Sequence, residues 1–216
     1  MIRSQVGFMR QKKSPISSKR ELKRRARRKN IVDVAMNAFL ASGCDNVTMS
    51  DISSMLGGSK STLWQYFDNK EDIVFAAIEA KMKFFRSFLQ LDISECRSIS
   101  RLLNFSSKRF CYFLMRDDTI EIERMIIINN RRIPKLENIF YNNTFLYFRD
   151  QISLHLANFL YDEDPSDAAA LLLDLCSSGF HRRLILELQH ENNVVADQVA
   201  DRAVQIFIKI YPKILL

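Results

Sequence analysis

Three successive helix-capping signals, spread over residues 48–73, most strongly limit how this chain can fold. Thr48 can cap a first short helix, and the glycine pair at 57–58 then breaks that helix. Ser59 is the expected cap of a second short helix, and Asn69 starts a third. Two short helices joined by a glycine turn, with another helix directly behind them, are typical of a helix-turn-helix that reads DNA.

Apolar residues lie on one side of each short helix. Ile52, Met55 and Leu56 form the stripe of the first helix, and Leu63 and Phe67, four residues apart, form that of the second. The second helix therefore points its polar and amphipathic groups outward, namely Lys60, Ser61, Thr62, Trp64 and Gln65. Such side chains suit a phosphate backbone and the edges of bases.

Composition favours helices throughout the chain. The 216 residues include only five glycines and four prolines, and 47% are hydrophobic, which predicts an all-α globular protein. No apolar run reaches the roughly 18 residues that a membrane span needs, and the basic N-terminus lacks the apolar core of a signal peptide. Four scattered cysteines and three dispersed histidines predict reduced thiols, a cytoplasmic location and no metal site.

Positive charge is concentrated at the N-terminus. Residues 1–30 carry twelve Lys or Arg and one acidic residue, a net +11, so a whole-chain charge of +7 leaves −4 for the rest. We expect residues 1–25 to form a basic arm ahead of a helix-turn-helix domain over 26–72. The arm is either a solvated tail or a contact with nucleic acid that adds salt dependence, and its position favours the contact.

The rest of the chain, residues 73–216, predicts a larger helical domain. One long helix from Asn69 to about residue 90 joins the two units. Further helices are expected over 98–116, 119–131, 134–161, 165–189 and 194–211. The last two are apolar over more than one face, which predicts a homodimer built as a four-helix bundle rather than a monomer with two central helices. The residues predicted for that interface are Leu172, Leu175, Gly179, Val199, Ala203, Ile206 and Ile210.

Residues 31–78 resemble the N-terminal DNA-binding domain of the TetR/AcrR family of bacterial transcriptional regulators. The run Leu56-Gly-Gly-Ser-Lys-Ser-Thr-Leu-Trp-Gln-Tyr-Phe67, followed by Asp68-Asn-Lys-Glu-Asp-Ile-Val74, matches the family pattern. It departs at Gly58, where an apolar residue is usual, at Ser61 for glycine and at Trp64 for tyrosine. The resemblance implies a C-terminal helical domain that dimerises and binds a small effector, and residues 124–141 resemble a linking stretch of AcrR-like regulators.

Resemblance and side-chain chemistry together predict the contacts with double-stranded operator DNA. Donors to phosphate oxygens are Thr48, Ser59, Thr62, Trp64, Tyr66 and Lys70. Lys60, Ser61 and Gln65 are better suited to base edges, with Lys matching guanine and Gln matching adenine. The alternative for Trp64 is a core aromatic, and the ring of Tyr66 could pack while its hydroxyl reaches outward.

An aromatic-rich second domain predicts a hydrophobic or aromatic effector. The expected pocket residues are Phe105, Phe110, Phe113, Arg124, Phe145, Phe148 and Phe180, each of which could instead be plain core. Glu123, His155 and His181 are further candidate polar anchors. The predicted function is a homodimeric repressor that binds a palindromic operator and a small-molecule effector, with no cofactor and no membrane partner. Rival hypotheses are a partner-controlled DNA-binding protein and, because no catalytic motif is present, more remotely an all-helical enzyme.

Overall fold

The computed structural model describes residues 19–58, 60–92, 98–160, 162–187 and 192–215. The described residues form ten α-helices, two short 3-10 turns and no strand, which confirms the all-α prediction. The helices are α1 (Lys19–Ser42), α2 (Met49–Met55), α3 (Lys60–Trp64), α4 (Lys70–Leu89), α5 (Ile99–Leu114), α6 (Asp117–Asn129), α7 (Leu136–Asn143), α8 (Phe145–Leu156), α9 (Pro165–Ile185) and α10 (Asn193–Ile210).

Helices α1 to α4 form the smaller N-terminal unit. Helix α1 packs on α2 and α4, and α3 packs on α2. The buried side chains of this unit include Phe39, Ile52, Leu63, Phe67 and Ile73. Burial of these side chains supplies the hydrophobic free energy that holds helices as short as α2 and α3, which would not persist alone in water.

The sequence-predicted domain borders fall inside helices. Helix α1 runs without a break from Lys19 to Ser42, so the border expected between residues 25 and 26 falls within this helix. Residues 1–18 of the predicted basic arm lie outside the described residues. The border expected between residues 72 and 73 lies in the first turn of α4, whose residues Ile73, Val74 and Ala77 are buried. The N-terminal unit therefore extends well into α4.

The remaining helices form the larger unit. Helix α5 packs along α10, α8 packs along α9, and the second half of α4 packs on α5 and α7. Side chains from these helices share one core, in which Phe85, Phe113, Phe148, Leu172 and Phe207 are fully buried or nearly so. Across α5 and α10, the Tyr112 hydroxyl also donates to Asp197 Oδ1 at 2.7 Å.

The helix predicted over residues 134–161 is wrong, because the structure divides it into α7 and α8. The backbone of Thr144 between them is not helical (φ −119°, ψ −83°), and its hydroxyl donates to the Phe140 carbonyl oxygen at 2.7 Å. Lys135, at φ 76°, also delays the start of α7 to Leu136. No glycine stands at Lys135 or Thr144, so the sequence contains no glycine that would predict either break.

Helix α9 is interrupted where the sequence predicts continuity. Ser178 has non-helical angles (φ −21°, ψ −134°), and it belongs to a Ser-Ser-Gly run of the kind at which helices commonly kink. The helix ends at Ile185, inside the predicted range of 165–189. The interruption lies between Ser177 and His181, two residues that line the cavity described below.

The glycine turn between α2 and α3 is fixed by its backbone and by Ser53. Gly57 has φ +62°, in the left-handed region that favours glycine. The buried Ser53 hydroxyl donates to the Gly58 carbonyl oxygen at 3.0 Å, and the Gly58 N–H donates to the Ser53 carbonyl oxygen at 3.3 Å. The unusual glycine at 58 is thus held in a defined turn.

We predict that Gly57→Ala destabilises the protein by about 1 kcal/mol, because an alanine at this φ is strained. Gly58→Ala is the matched control. Its new methyl group would lie 3.2 Å from Arg27 Nη2, the end of a flexible side chain that can move, so we expect a loss under about 0.5 kcal/mol. Urea unfolding of both variants measures the difference, and equal losses would contradict the assigned turn.

Candidate functional site

Helix α2 begins with a complete capping box. The Asp51 N–H donates to Thr48 Oγ1 at 3.2 Å, and the Thr48 N–H donates to Asp51 Oδ2 at 2.8 Å. The Thr48 hydroxyl also donates to Asp51 Oδ2 at 2.7 Å. A DNA phosphate would therefore compete with Asp51 for that proton, which qualifies the predicted role of Thr48 as a phosphate donor.

Helix α3 turns its apolar residues inward and its polar residues outward. Leu63 and Phe67 are buried, whereas Ser61 and Gln65 are exposed and half of the Trp64 surface is accessible, at 50%. The outward orientation predicted for Trp64 is confirmed, and the alternative of a core aromatic is wrong. Thr62 and Tyr66 are half-buried.

Two of the predicted DNA contacts fall wholly or partly outside the described residues. Ser59 lies outside the described residues, and so does the side chain of Lys60, although Lys60 is the first residue of α3. Lys70 opens α4 and is half-buried. The Asn69 side chain caps that helix by accepting from the Asp72 N–H at 2.7 Å.

The N-terminal turns of α1 run beside the end of α3 and form a basic groove. Its volume is about 770 Å³, and it is lined by Arg20, Glu21, Lys23, Arg24, Arg27, Gln65 and Tyr66. Glu21 forms an ion pair with Arg25 on the same helix. Four cations beside the exposed edge of α3 create the positive potential that attracts a phosphate backbone.

One cation of α1 has a structural role instead. The Arg28 guanidinium lies 4.7 Å from the centre of the Phe67 ring, a cation–π contact that ties α1 to the segment after α3. In the sequence, Arg28 is recognisable only as one residue of a basic run. A cation of the basic run therefore also contributes to the packing of α1 on the segment after α3.

The two units are joined by α4 and by a second contact through the end of α6. Arg132 Nη1 lies 3.5 Å from Asp45 Oδ1, which belongs to the 3-10 turn between α1 and α2. The side chain of Asn129, the last residue of α6, lies near the buried thiol of Cys44 in that turn. Burial raises the pKa of this thiol, so it stays protonated at neutral pH.

The larger unit contains a cavity of about 270 Å³ between α5, α6, α7, α8 and α9. It is lined by Phe110, Phe113, Leu114, Glu123, Phe140, Tyr141, Thr144, Phe145, Asp174, Ser177 and His181. The structure thus brings together three of the predicted pocket residues, Phe110, Phe113 and Phe145. His181 Nε2 lies 2.6 Å from Glu123 Oε2, which joins two of the candidate polar anchors.

Four predicted pocket residues lie elsewhere, and the prediction is corrected for them. Phe148 and Phe180 are core side chains, and Phe105 lies against the Arg109 guanidinium. Arg124 turns away from the cavity and donates to the carbonyl oxygens of Ile185 and Leu184 at 3.1 and 3.0 Å. These bonds satisfy carbonyls at the end of α9, so Arg124 acts as a helix cap rather than as a ligand anchor.

Sequence reasoning missed several lining residues, among them Phe140, Thr144, Asp174 and Ser177. No local signal marks them, because each faces the cavity only through the break at Thr144 or the packing of α9 on α8. Among the described residues, no cluster of His, Cys, Asp or Glu is arranged to hold a metal ion, and no helix is long and apolar enough to cross a membrane.

Part of the predicted dimer interface is buried in the core of the single chain. Leu172 (0% exposed) and Ala203 (1% exposed) are covered by neighbouring helices, so the prediction is corrected for these two. Leu175, Val199 and Ile206 are half-buried, and Gly179 and Ile210 are exposed. The five remaining residues therefore still offer surface on α9 and α10.

Two family models together match most of the chain. Residues 31–77 match "Bacterial regulatory proteins, tetR family", and residues 101–213 match "AefR-like transcriptional repressor, C-terminal domain". The second match alone covers more than half of the sequence. The chain belongs to the TetR family of transcriptional regulators, a family of DNA-binding proteins of repressor type.

Relatives and solved structures agree with this assignment. The negative regulator IcaR of the biofilm operon icaADBC, from Staphylococcus epidermidis, is 33% identical over 78 residues, which are 36% of this chain and 42% of IcaR. A TetR-family regulator from Mesorhizobium loti has the same fold, with a TM-score of 0.75 and 23% identity over 87% of this chain and 98% of its own. The flavonoid-responsive regulator FrrA also has this fold, with a TM-score of 0.68 and 23% identity over 86% of this chain and 97% of its own.

We predict that Asp51→Asn destabilises the protein at neutral pH but not in acid. Hydrogen bonds from the Thr48 hydroxyl and backbone lower the pKa of Asp51 below its ordinary 3.8. A carboxyl with a lowered pKa stabilises the folded state above its unfolded pKa, and that contribution is lost as the pH falls through the folded value. The unfolding free energies of the two proteins, measured in urea, should therefore converge as the pH falls below the ordinary value of 3.8 and through the lowered folded value. A gap that persists unchanged in acid would contradict the assigned capping box.

Proposed function

We propose that the protein is a homodimeric repressor that grips a palindromic operator with two copies of α3 and leaves it when a small effector binds. The observation that carries the proposal is the exposed polar edge of α3 beside the basic groove of α1. A short helix with a polar outer edge can enter the major groove, while surrounding cations hold the backbone phosphates.

The residues divide into two roles within this interface. Lys60, Ser61 and Gln65 read base edges. Donors to phosphate oxygens set the position of α3 on the duplex, and these are Thr48, Ser59, Thr62, Trp64, Tyr66 and Lys70. The cations of the α1 groove add a sequence-independent attraction that weakens as salt rises.

Dimerisation is supported by apolar surface that the single chain leaves uncovered on α9 and α10. Half-buried Leu175, Val199 and Ile206 lie with exposed Ile210 and Gly179 on these two helices. Val194, on the first turn of α10, is also exposed at 63%. A two-fold pairing of these helices buries such surface and spaces two α3 helices for two half-sites.

Effector control is supported by the cavity in the larger unit, since a filled core would favour a protein controlled only by a partner. FrrA, which shares the fold, is named as flavonoid-responsive, which supports a small effector as the general mode of control. Helix α6 carries Glu123 at the cavity and contacts α1 of the DNA-binding unit. Arg132, which follows α6 in the chain, also lies 3.5 Å from Asp45 of the 3-10 turn.

Helix α4 offers a second route between cavity and DNA. Its first half packs on α1, and Phe85 near its other end packs on Phe113 of the cavity wall at 5.0 Å between ring centres. An effector releases DNA only if it binds the DNA-incompetent arrangement more tightly than the competent one. A shift of α4 or α6 on filling of the cavity would alter the spacing of the two α3 helices.

We predict that Lys60→Ala weakens binding to the operator about tenfold and relaxes one base preference, because a base-reading cation is lost. Lys70→Ala should instead weaken binding to operator and scrambled DNA equally, because its partner is a phosphate. Mobility shifts on the DNA flanking the gene and on a scrambled fragment measure both effects. Unchanged binding by both variants would reject the assigned contacts.

We predict that Ile206→Asp converts the dimer to monomers, because a charge on this surface cannot be buried unpaired. The matched control is Leu154→Asp on α8, where the native leucine is 73% exposed and lies outside the proposed face. Sedimentation velocity separates the two outcomes. A dimer that survives Ile206→Asp, or is lost equally in Leu154→Asp, would place the interface elsewhere.

A further inference from the structure

We infer that the effector is an organic cation with an apolar or aromatic body, bound in the 270 Å³ cavity with its charge near Glu123 and Asp174. This inference rests on the proposed effector control and adds a ligand class to it. The family comparisons assign no ligand to this chain, so the class follows from the lining itself.

The walls of the cavity are rich in aromatic rings. Phe110, Phe113, Phe140, Tyr141 and Phe145 contribute to it from three helices. Tyr141 and Phe145 are stacked, with ring centres 5.1 Å apart and planes 11° apart, and Phe110 meets Phe145 at 6.3 Å in an edge-on arrangement. Ring faces and edges at several angles suit a compact apolar body, and a ring face attracts a cation through its quadrupole.

The ionisable groups of the lining favour positive charge in the ligand. They are the carboxylates of Glu123 and of the exposed Asp174, together with His181, and none of the described residues in the lining is Lys or Arg. The side chain of Glu123 is only 13% exposed, so its charge is poorly screened by water. An anion would meet two carboxylates without a fixed cation, whereas an organic cation complements them.

The nearest arginine in sequence does not neutralise this charge within the cavity. Arg124 follows Glu123 directly, but its guanidinium is held by the carbonyls at the end of α9 and lies 2.6 Å from Glu121 and Glu187 oxygens. His181, 2.6 Å from Glu123 Oε2, is the neighbour of the carboxylate inside the lining. The carboxyl group of Glu123 also lines the cavity, so a ligand cation can approach it beside His181.

The size of the cavity limits the ligand further. A volume of about 270 Å³ lies at the lower end of ordinary small-molecule sites, so one aromatic ring with a substituted ammonium group fits better than a large polycyclic drug. Benzyltrimethylammonium has this shape. Neopentylbenzene is its neutral isostere, with carbon in place of the ammonium nitrogen, and phenylmethanesulfonate is an anion of similar size.

Equilibrium dialysis of the full chain against each probe tests the inference. We expect the cation to bind at least about tenfold more tightly than its neutral isostere, and the anion to bind most weakly. Glu123→Gln should weaken binding of the cation about tenfold, and Asp174→Asn, which removes an exposed and better screened charge, about threefold. Both should change binding of the isostere less than about twofold. Glu123→Asp, which keeps the charge, should recover part of the affinity.

Two control variants change charge on the same helices outside the cavity lining. Glu121→Gln on α6 and Asp167→Asn on α9 should leave cation binding within about twofold of the parent protein, because neither residue lines the cavity. Far-ultraviolet circular dichroism and melting curves establish that every variant is folded. Losses of cation affinity that are equal in the controls would overturn the inference.

The inference is also overturned if the isostere binds as tightly as the cation, if the anion binds best, or if none of the probes binds the folded protein at millimolar concentration. Mobility shifts with the same preparations separate this result from the proposed function. A protein that binds operator but prefers the isostere keeps the proposed function and loses the cationic effector. A protein that binds the cation but no DNA keeps the cationic ligand and loses the proposed function as a DNA-binding repressor.

Discussion

Helix α4 is the constraint on which the rest of the structure depends, because it is buried at both ends by different units. Ile73, Val74 and Ala77 belong to the core of the DNA-binding unit, and Phe85 and Leu89 belong to the core of the larger unit. Neither unit can close its core without α4. Any change that moves the second half of the helix therefore acts on the elements that orient α3.

The DNA-binding unit could be predicted well because its signals are local. Thr48 and Asn69 cap their helices with the bonds that their side chains suggest, and Leu63 and Phe67 are buried as their spacing predicts. Such features depend on residues three or four positions apart, so the sequence alone contains them. Arg28 is the exception, since its contact with Phe67 joins residues that are distant in the chain.

The larger unit could be predicted only in outline, because its details depend on packing between distant helices. A broad apolar stripe on α9 and α10 predicts that two faces of each helix are covered, but it does not distinguish the chain's own core from a partner subunit. Leu172 and Ala203 belong to the core. The break at Thr144 needs no proline or glycine. The sequence makes Arg124 a candidate ligand anchor, whereas in the structure it donates hydrogen bonds to carbonyl oxygens at the end of α9.

In the proposed dimer, two copies of α3 read the two halves of one operator. A DNase I footprint of the full chain on the DNA flanking its gene measures this directly. We expect a protected inverted repeat whose half-site centres lie about one helical turn apart. Protection of a single half-site, or the absence of any protected sequence at low salt, would contradict it.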